Sequence, residues 1–423
     1  MIEQHVLDRV RTTFELHGFS SIETRAVEPL EHLLSKGETS KEVYTLHRLQ
    51  DKDGSRPDFG LHFDLTVPLS RYVIENAGKL TFPFKRYQIQ KVWRGERPQE
   101  GRYREFTQAD VDVVGDGSLS FSHEVELPLV MVDALSYLPV PSVVVHASNR
   151  KLAQGFYESI GIDDIEGTLR AIDKLDKIGE KAVEEILVEK VSLTSEQAKR
   201  ALQLAQIKGS DASIADRVYN LGARGELLDE GLNELVNLVE NAQALIPGSV
   251  IADLKIARGL DYYTGSVYES FVGNHEDLGS ICSGGRYDAL ARQGNKTYPG
   301  VGLSIGISRL LSRVIGGGHI HASRQTPTCV LIALNNDCDR LNAMKTAMSL
   351  RHRGIPTDVS PEPIKFGKQI RYADRRGIPY VLFDTEEGWQ IKDIRSGEQI
   401  SIDILQWMPP AEDIYPQIVE QSE

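Results

Sequence analysis

The feature that most constrains this chain is the run from Phe84 to Gly115, FKRYQIQKVWRGERPQEGRYREFTQADVDVVG. Two runs, Phe84 to Gln90 and Phe106 to Val114, are rich in β-formers, with Val111, Val113 and Val114 supplying branched side chains. Between them lies a loop carrying Arg94, Glu96, Arg97, Glu100, Arg102 and Arg104. The pattern predicts two antiparallel strands joined by a long charged loop. A loop of this kind can be a solvated hairpin with exchanged salt bridges. The chemistry of its cations points elsewhere, because several guanidiniums grip phosphate in a planar fork that lysine cannot reproduce. Phe106, placed just after the loop, offers a flat face on which a purine can stack.

The rest of the text is organised around that hairpin. At the start, Ile2, Val6, Val10 and Phe14 recur every four residues and share one helical face, and Gly18 ends that helix. A strand is expected from Ser142 to His146. From there to about Ala244 the chain is rich in Ala, Leu, Glu and Lys, with no proline between Pro141 and Pro247, so a helical insertion is expected. Strand-like, glycine-rich text resumes at Val250 and runs to about Ile315. Gly316–Gly317–Gly318 and the polar run to Pro327 read as a linker. Beyond it, Val330 to Leu334 reads as a buried strand. Leu341, Met344 and Met348 mark one face of the helix that follows, and Gly354 ends it. A further strand at Val359, a helix around Lys368 to Arg376 and a strand from Tyr380 to Phe383 complete a small α/β unit.

Composition narrows the function classes. The chain has 423 residues and a net charge of -13, which argues against wholesale coating of nucleic acid but permits a local basic groove. Cys282, Cys329 and Cys338 have neither zinc-site spacing nor the even count of a disulfide framework, and no metal site is expected. No apolar stretch reaches the ~20 residues that span a bilayer, and the first residues lack a secretory pattern. A soluble, cytoplasmic protein is expected.

Three further runs carry chemistry. Gly300 to Leu311 reads GVGLSIGISRLL, with glycines at 300, 302 and 306 that let backbone approach a ligand closely, and Arg309 at the start of a helix. Residues 257 to 269 read ARGLDYYTGSVYE, and residues 281 to 290 read ICSGGRYDAL. The arginine loop resembles motif 2 of class II aminoacyl-tRNA synthetases, and the Gly300–Leu311 run is similar to motif 3. The two tyrosine-rich runs look like the signature peptides of the histidyl-tRNA synthetase family. In this order, the four runs resemble that family over nearly the whole chain.

The resemblance implies an α+β protein. Its class II catalytic domain is built on an antiparallel sheet, with a helical insertion and a C-terminal α/β anticodon-binding domain. The expected boundaries are 1–146 and 249–318 for the catalytic domain, 147–248 for the insertion, and 326–423 for the anticodon-binding domain. It also implies the reaction: histidine is activated by ATP to histidyl-adenylate and then transferred to tRNA(His), with Mg2+ accompanying ATP as substrate. On this likeness Arg94 holds the α-phosphate and the amino-acid carboxylate. Glu96 lies near the adenine edge, Arg102 meets the distal phosphates, Phe106 stacks on adenine, and Arg309 sits against adenine and the γ-phosphate. Arg97 and Gln99 face the acceptor end of the tRNA. Arg258 takes a place where other class II enzymes use a metal ion, and Arg94 and Arg258 are the catalytic cations. Two unit charges ~4 Å apart gain on the order of 4 kcal/mol at an effective dielectric of about 20, so each is worth a large rate factor.

Recognition of histidine follows from its ring, which when neutral offers one N–H donor and one bare nitrogen. The expected partners are Asp112 for one ring nitrogen and the Tyr263 hydroxyl for the other. Asp64, Leu65 and Thr66 meet the α-ammonium group, and Gln108, Tyr262 and Tyr287 complete the pocket. In the C-terminal unit, FGKQIRYADRRGIPYVLF resembles the anticodon-binding domain of this group, with Lys368, Arg371 and Arg375 on one helical face. A homodimer is implied, and no membrane partner is expected.

The match departs in places. The chain starts inside the first helix, so an N-terminal strand of the family is expected to be missing. Arg25 stands where motif 1 expects proline, Asp64 and Asp112 where glutamate is frequent, and Ser308 where glutamate usually precedes the motif 3 arginine. Two rival readings stand beside this one. One is a regulatory subunit of ATP phosphoribosyltransferase, a paralogue that charges no tRNA. The other is a different class II synthetase, such as a prolyl or threonyl enzyme.

Overall fold

In the computed structural model the chain is described over residues 2–34, 42–50, 57–97, 101–136, 142–257, 262–272, 279–289, 291–318 and 320–420. It divides into two units, Glu3–Gly317 and Gly318–Glu423.

The larger unit is organised by a nine-stranded sheet. In chain order its strands are β1 (Ser20–Ser21), β2 (Phe84–Trp93), β3 (Glu105–Val114), β4 (Val143–Asn149), β5 (Lys208–Gly209), β6 (Val250–Asp253), β7 (Ser266–Val272), β8 (Cys282–Tyr287) and β9 (Gly300–Gly306). The spatial order is β1-β2-β3-β9-β8-β7-β4-β6-β5. The expected hairpin is present: β2 and β3 pair antiparallel from Phe84↔Val114 to Trp93↔Glu105. It runs three residues past Gln90, so the charged loop starts directly from the strand end. Strand β9 pairs with β3 on one side and β8 on the other, both antiparallel, which puts motif 3 text beside motif 2 text in the centre of the sheet.

Helix α1 (Ile2–Leu16) buries Val6, Val10 and Phe14, the face that the four-residue spacing predicts. Phe14 meets Tyr87 of β2 with ring centroids 5.8 Å apart. Gly18 adopts a φ of 79°, which a residue with a Cβ rarely adopts, and so ends the helix. Helix α2 (Thr66–Asn76) and helix α3 (Ser122–Ser136) flank the sheet's functional centre. The segment between β4 and β6 is mainly helical, interrupted by β5, opening with α4 (Arg150–Ser159) and closing with α5 (Glu226–Leu245). The Asn149 side chain caps α4 by accepting from the amides of Lys151 and Leu152. Helix α6 (Ile307–Gly316) follows β9 directly.

The second unit holds a five-stranded sheet. Its elements are β10 (Val330–Ile332), α7 (Arg340–His352), β11 (Thr357–Val359), α8 (Phe366–Arg376), β12 (Tyr380–Thr385), β13 (Gly388–Asp393) and β14 (Gln399–Ser401), with strand order β11-β10-β12-β13-β14. Apolar clusters cover both faces, one built around Val330, Ile332 and Leu382 and the other around Leu331, Val381 and Phe383.

Two expectations for this unit need correction. The segment read as a linker carries a strand, Ile320–Ala322, paired antiparallel with Ile418–Glu420. The nearby Arg324 is buried and donates to the carbonyls of Thr326, Pro327, Asp413 and Ile414. Two of these partners, Asp413 and Ile414, are about 90 residues away, so local polarity reads as a linker. Leu341, Met344 and Met348 do share a face of α7, but it is the solvent face. Their exposures are 65%, 52% and 53%, while Ala343, Ala347 and Leu350 are buried against the sheet.

Candidate active site

Period-two alternation along β3 puts Gln108, Asp110 and Asp112 on one face of the sheet, and all three are buried. Their register partners carry the same face sideways: Arg86, Gln88 and Gln90 on β2, and Gly302, Ser304 and Gly306 on β9. Ser304 in turn pairs with Ser283 of β8. A polar floor therefore crosses the middle of the sheet, and two adjoining cavities open above it.

The larger is a cleft, open to solvent, with about 820 Å³ of empty space including its mouth. Arg94, Arg102 and Arg309 bring three guanidiniums to it, with Glu96, Tyr103 and Phe106 among the other lining residues. Arg94 leaves the end of β2, where its Nε donates to the Phe63 carbonyl at 3.0 Å and its guanidinium lies 5.1 Å from the centre of the Phe106 ring. Its amide donates to the Arg104 carbonyl at 2.9 Å, so the two ends of the loop remain paired beyond the strands. Glu96 stands 3.6 Å from Arg102. Arg309 enters from the first turn of α6, where Ser308 Oγ accepts from the Thr107 amide at 2.9 Å. The serine found where glutamate was expected thus ties motif 3 to motif 2.

The smaller cavity, about 250 Å³, is lined by Thr66, Asp110, Asp112, Tyr263 and Tyr287, among others, and shares Ser283 and Ser304 with the cleft. Asp112 is held on both oxygens: Oδ1 accepts from the Tyr287 hydroxyl at 2.8 Å, and Oδ2 lies 2.6 Å from Arg86 Nη2. Arg86 is fully buried and also donates to the Leu65 carbonyl at 3.4 Å. Asp64, at the start of α2, accepts from the Val67 amide at 3.0 Å. Tyr262 and Tyr263 pack with ring centroids 4.2 Å apart, and burial with Tyr262 alongside pushes the Tyr263 hydroxyl up from its ordinary range. Burial likewise raises Tyr287, with the neighbouring Asp112 carboxylate adding to it. Both phenols are therefore neutral donors at physiological pH.

Glycines make room here for the protein's own side chains. A Cβ on Gly302 would stand 1.9 Å from Asp112 Oδ1, and one on Gly300 would stand 2.4 Å from the Tyr287 ring. Of the three glycines, Gly306 lines the larger cleft and Gly302 the smaller cavity, and at 300 and 302 the missing Cβ also leaves room for Tyr287 and Asp112. The two tyrosine-rich peptides are clamped together below the pocket. Arg286 donates to Glu124 of α3 at 2.7 Å and to Asp288 at 3.0 Å, and Thr264 bonds to Asp288. Buried Glu124 also accepts from the Ser266 amide at 3.2 Å.

Of the residues singled out from the sequence, Arg94, Glu96, Arg102, Phe106, Gln108 and Arg309 line the larger cleft, while Thr66, Asp112, Tyr263 and Tyr287 line the smaller cavity. Asp64, Leu65 and Tyr262 are neighbours of that second group, and Arg97 is exposed at the loop's edge. Gln99 and Arg258 lie outside the described residues. Arg86, Asp110, Ser283 and Ser304 were not anticipated. For Arg86 and Asp110 the signal was the polar alternation within β2 and β3, which marks a face without saying what covers it; Ser283 and Ser304 join that face through the register of β8 and β9.

Comparisons with known proteins place this geometry. The profile of the family described as histidyl-tRNA synthetase matches residues 2–310, and that of the anticodon binding domain matches residues 328–408. The chain belongs to the histidyl-tRNA synthetase family. It is 54% identical to the histidine–tRNA ligase of Micrococcus luteus over 440 aligned positions, covering 100% of this chain and 96% of that protein. It is 51% identical to the histidine–tRNA ligase of Cutibacterium acnes, with 99% and 95% coverage. Among solved structures, the histidyl-tRNA synthetase of Nostoc sp. PCC 7120 superposes with a TM-score of 0.85 at 35% identity, covering 95% of this chain and 93% of that one. The fold is that of a class II synthetase: a catalytic domain on a largely antiparallel sheet and an α/β anticodon-binding domain. Among the described residues no helix is long and apolar enough to cross a membrane.

Proposed function

We propose that this chain is a histidine–tRNA ligase, which condenses histidine with ATP to histidyl-adenylate and passes the histidyl group to the 3' end of tRNA(His). The observation that carries this reading is the three-guanidinium cleft adjoining a small cavity lined by an aspartate pair and two tyrosines. One cavity suits a nucleotide triphosphate and the other a small polar ring.

In the first step the histidine carboxylate attacks the α-phosphorus of ATP, supplied as its Mg2+ complex, and pyrophosphate leaves. Negative charge grows on the α-phosphoryl oxygens, and fixed cations aimed there lower the barrier. Arg94, anchored through Nε by the Phe63 carbonyl, presents the rest of its fork to that phosphate and to the carboxylate. Arg258 acts beside it as the second catalytic cation. Arg102 takes the distal phosphates, Glu96 the adenine edge, Phe106 and Arg309 the purine, and Arg309 also the γ-phosphate. The histidine ring meets Asp112 and the Tyr263 hydroxyl, with Gln108, Tyr262 and Tyr287 around it. Asp64, Leu65 and Thr66 receive the α-ammonium. A ribose hydroxyl of the tRNA then attacks the adenylate carbonyl and AMP departs, with Arg97 and Gln99 near the acceptor end.

Residues 1–146 and 249–318 form the catalytic domain of this reading, 147–248 the helical insertion, and 326–423 the anticodon-binding domain. The exposed row Lys368, Arg371 and Arg375 on α8 supplies its phosphate contacts. The enzyme works as a homodimer in the cytoplasm. Histidine-dependent ATP–pyrophosphate exchange tests the reading, since a regulatory subunit or another synthetase would give none. Arg258→Ala should nearly abolish exchange with the circular dichroism spectrum unchanged; near-normal turnover would remove Arg258 from the mechanism.

A further inference from the structure

We infer that His62 is a positioning residue for the adenylation step, its ring holding in place the segment whose carbonyls aim Arg94 at the substrates. This rests on the reading of Arg94 as a catalytic cation and adds the residue through which its aim is set.

The segment from His62 to Leu65 leads from a small sheet, in which Phe59–Leu61 pairs with Val27–Pro29, to the start of α2. It belongs to no strand or helix, so contacts with β2 set its place. Three of its carbonyls accept donors from that side. His62 accepts from the Trp93 amide at 3.0 Å, Phe63 from Arg94 Nε at 3.0 Å and Leu65 from Arg86 Nη2 at 3.4 Å. Sliding this segment along β2 would therefore carry the Phe63 carbonyl, and the Arg94 fork anchored on it, away from their present place.

The His62 ring resists that slide. It is fully buried, and its Nε2 lies 2.7 Å from the Lys91 carbonyl of β2. A carbonyl only accepts, so Nε2 carries the proton and donates it. Burial, against the pull of the Lys91 carbonyl, moves the ring below its ordinary range and keeps it neutral in this tautomer. Its face stacks on Trp93, with ring centroids 5.5 Å apart and planes 30° apart. The His62 amide donates to the Ala26 carbonyl at 2.9 Å, which fixes the other side of the residue. One residue thus grips β2 at Lys91 and Trp93, immediately ahead of Arg94. His62 lines neither cavity, so its effect on the reaction passes through Arg94. Charge on the α-phosphoryl oxygens grows in the transition state, so a misdirected cation there costs rate more than binding.

The test measures ATP–pyrophosphate exchange by the full chain, with active sites counted from the burst of adenylate formation. His62→Phe keeps a flat ring beside Trp93 and removes the donor, whereas His62→Gln keeps an N–H donor. His62→Phe should lower kcat per active site about tenfold or more, with the KM values for ATP and histidine each within about threefold. His62→Gln should recover kcat to within about threefold of wild type. A residue that served stability alone would lower the count of active sites and the urea midpoint but leave turnover per site unchanged. The inference is overturned by a His62→Phe kcat per site within about twofold of wild type, or by equal losses in His62→Phe and His62→Gln. Raised KM values with kcat intact overturn it too. If His62→Phe does not fold, His62→Ala, which admits water to the Lys91 carbonyl, must show the same loss of kcat; failure of both to fold would make His62 a residue of the fold and end its positioning role. A wild-type chain without histidine-dependent exchange would fail the reading of the site and the role of His62 with it, whereas an active wild type with unaffected variants fails the role of His62 alone.

Discussion

Replacing Asp110 with asparagine should stabilise the protein at alkaline pH relative to acid pH, and the size of the change follows from its burial. A free aspartate loses its proton near 3.8, whereas Asp110 holds it to about 7. Below about pH 4 the carboxyl is protonated in both folded and unfolded chains, so it contributes no difference. Between about 4 and 7 the unfolded chain ionises and the folded chain does not. The folded state then binds more protons, and stability falls by about 1.4 kcal/mol for each pH unit. Above about 7 the loss levels off at about 4 kcal/mol. Asparagine keeps the shape and removes the titration, so the stability lost as pH rises is absent in the variant. Urea denaturation of both proteins should show Asp110→Asn gaining about 2–3 kcal/mol on wild type between about pH 5 and about pH 8. Any fixed cost of losing an oxygen that accepts from Ser304 is common to both pH values and cancels. A stability difference that stays constant within about 0.5 kcal/mol would mean that Asp110 ionises as it would in water, and the reasoning from burial would fail.

Two further substitutions probe the same floor. Gly302→Ala puts a methyl group 1.9 Å from Asp112 Oδ1, so the carboxylate must swing away, and the KM for histidine should rise about tenfold or more with a smaller change for ATP. An unaffected histidine KM would place Asp112 away from the ring. Asp112→Ala strands the fully buried Arg86 guanidinium and should cost about 3–5 kcal/mol in urea denaturation while weakening histidine more than ATP. Equal losses in the two Michaelis constants would count against its assignment.

How much of this was readable in the sequence depends on the range of the interactions involved. The β2–β3 hairpin and helix α1 were legible because their signals are local: alternation for one, a four-residue spacing for the other. The cleft residues Arg94, Phe106 and Arg309 were legible because motif text travels as a block. Asp110 stood in that same block, one position from Ala109 and two from Asp112, and nothing local set it apart. Its proton affinity depends on Ser304, almost 200 residues on, and on Arg86 across the sheet. The Ile320–Ala322 strand was missed for the same reason, since its partner lies at Ile418–Glu420. On α7 the local signal misled: the larger apolar residues Leu341, Met344 and Met348 outweighed the alanines, but the face that meets the sheet is the one carrying Ala343, Ala347 and Leu350.

The floor of the site explains why recognition and stability are coupled here. Asp64 and Asp112 both lie near enough to Asp110 to raise its proton affinity, and Arg86, paired with Asp112, opposes them. Ionised carboxylates side by side in a low-dielectric interior repel one another. The sheet relieves this with two different devices. Asp112 stays ionised because Arg86 and the Tyr287 hydroxyl both bind its charge, and Gly302 leaves the space in which it does so. Asp110 instead holds its proton up to about 7. Burial is the larger influence on Asp110 and Arg86 opposes it, so Arg86→Met should hold the Asp110 proton to still higher pH, seen in urea denaturation as a fall of stability with pH that continues further above about pH 7.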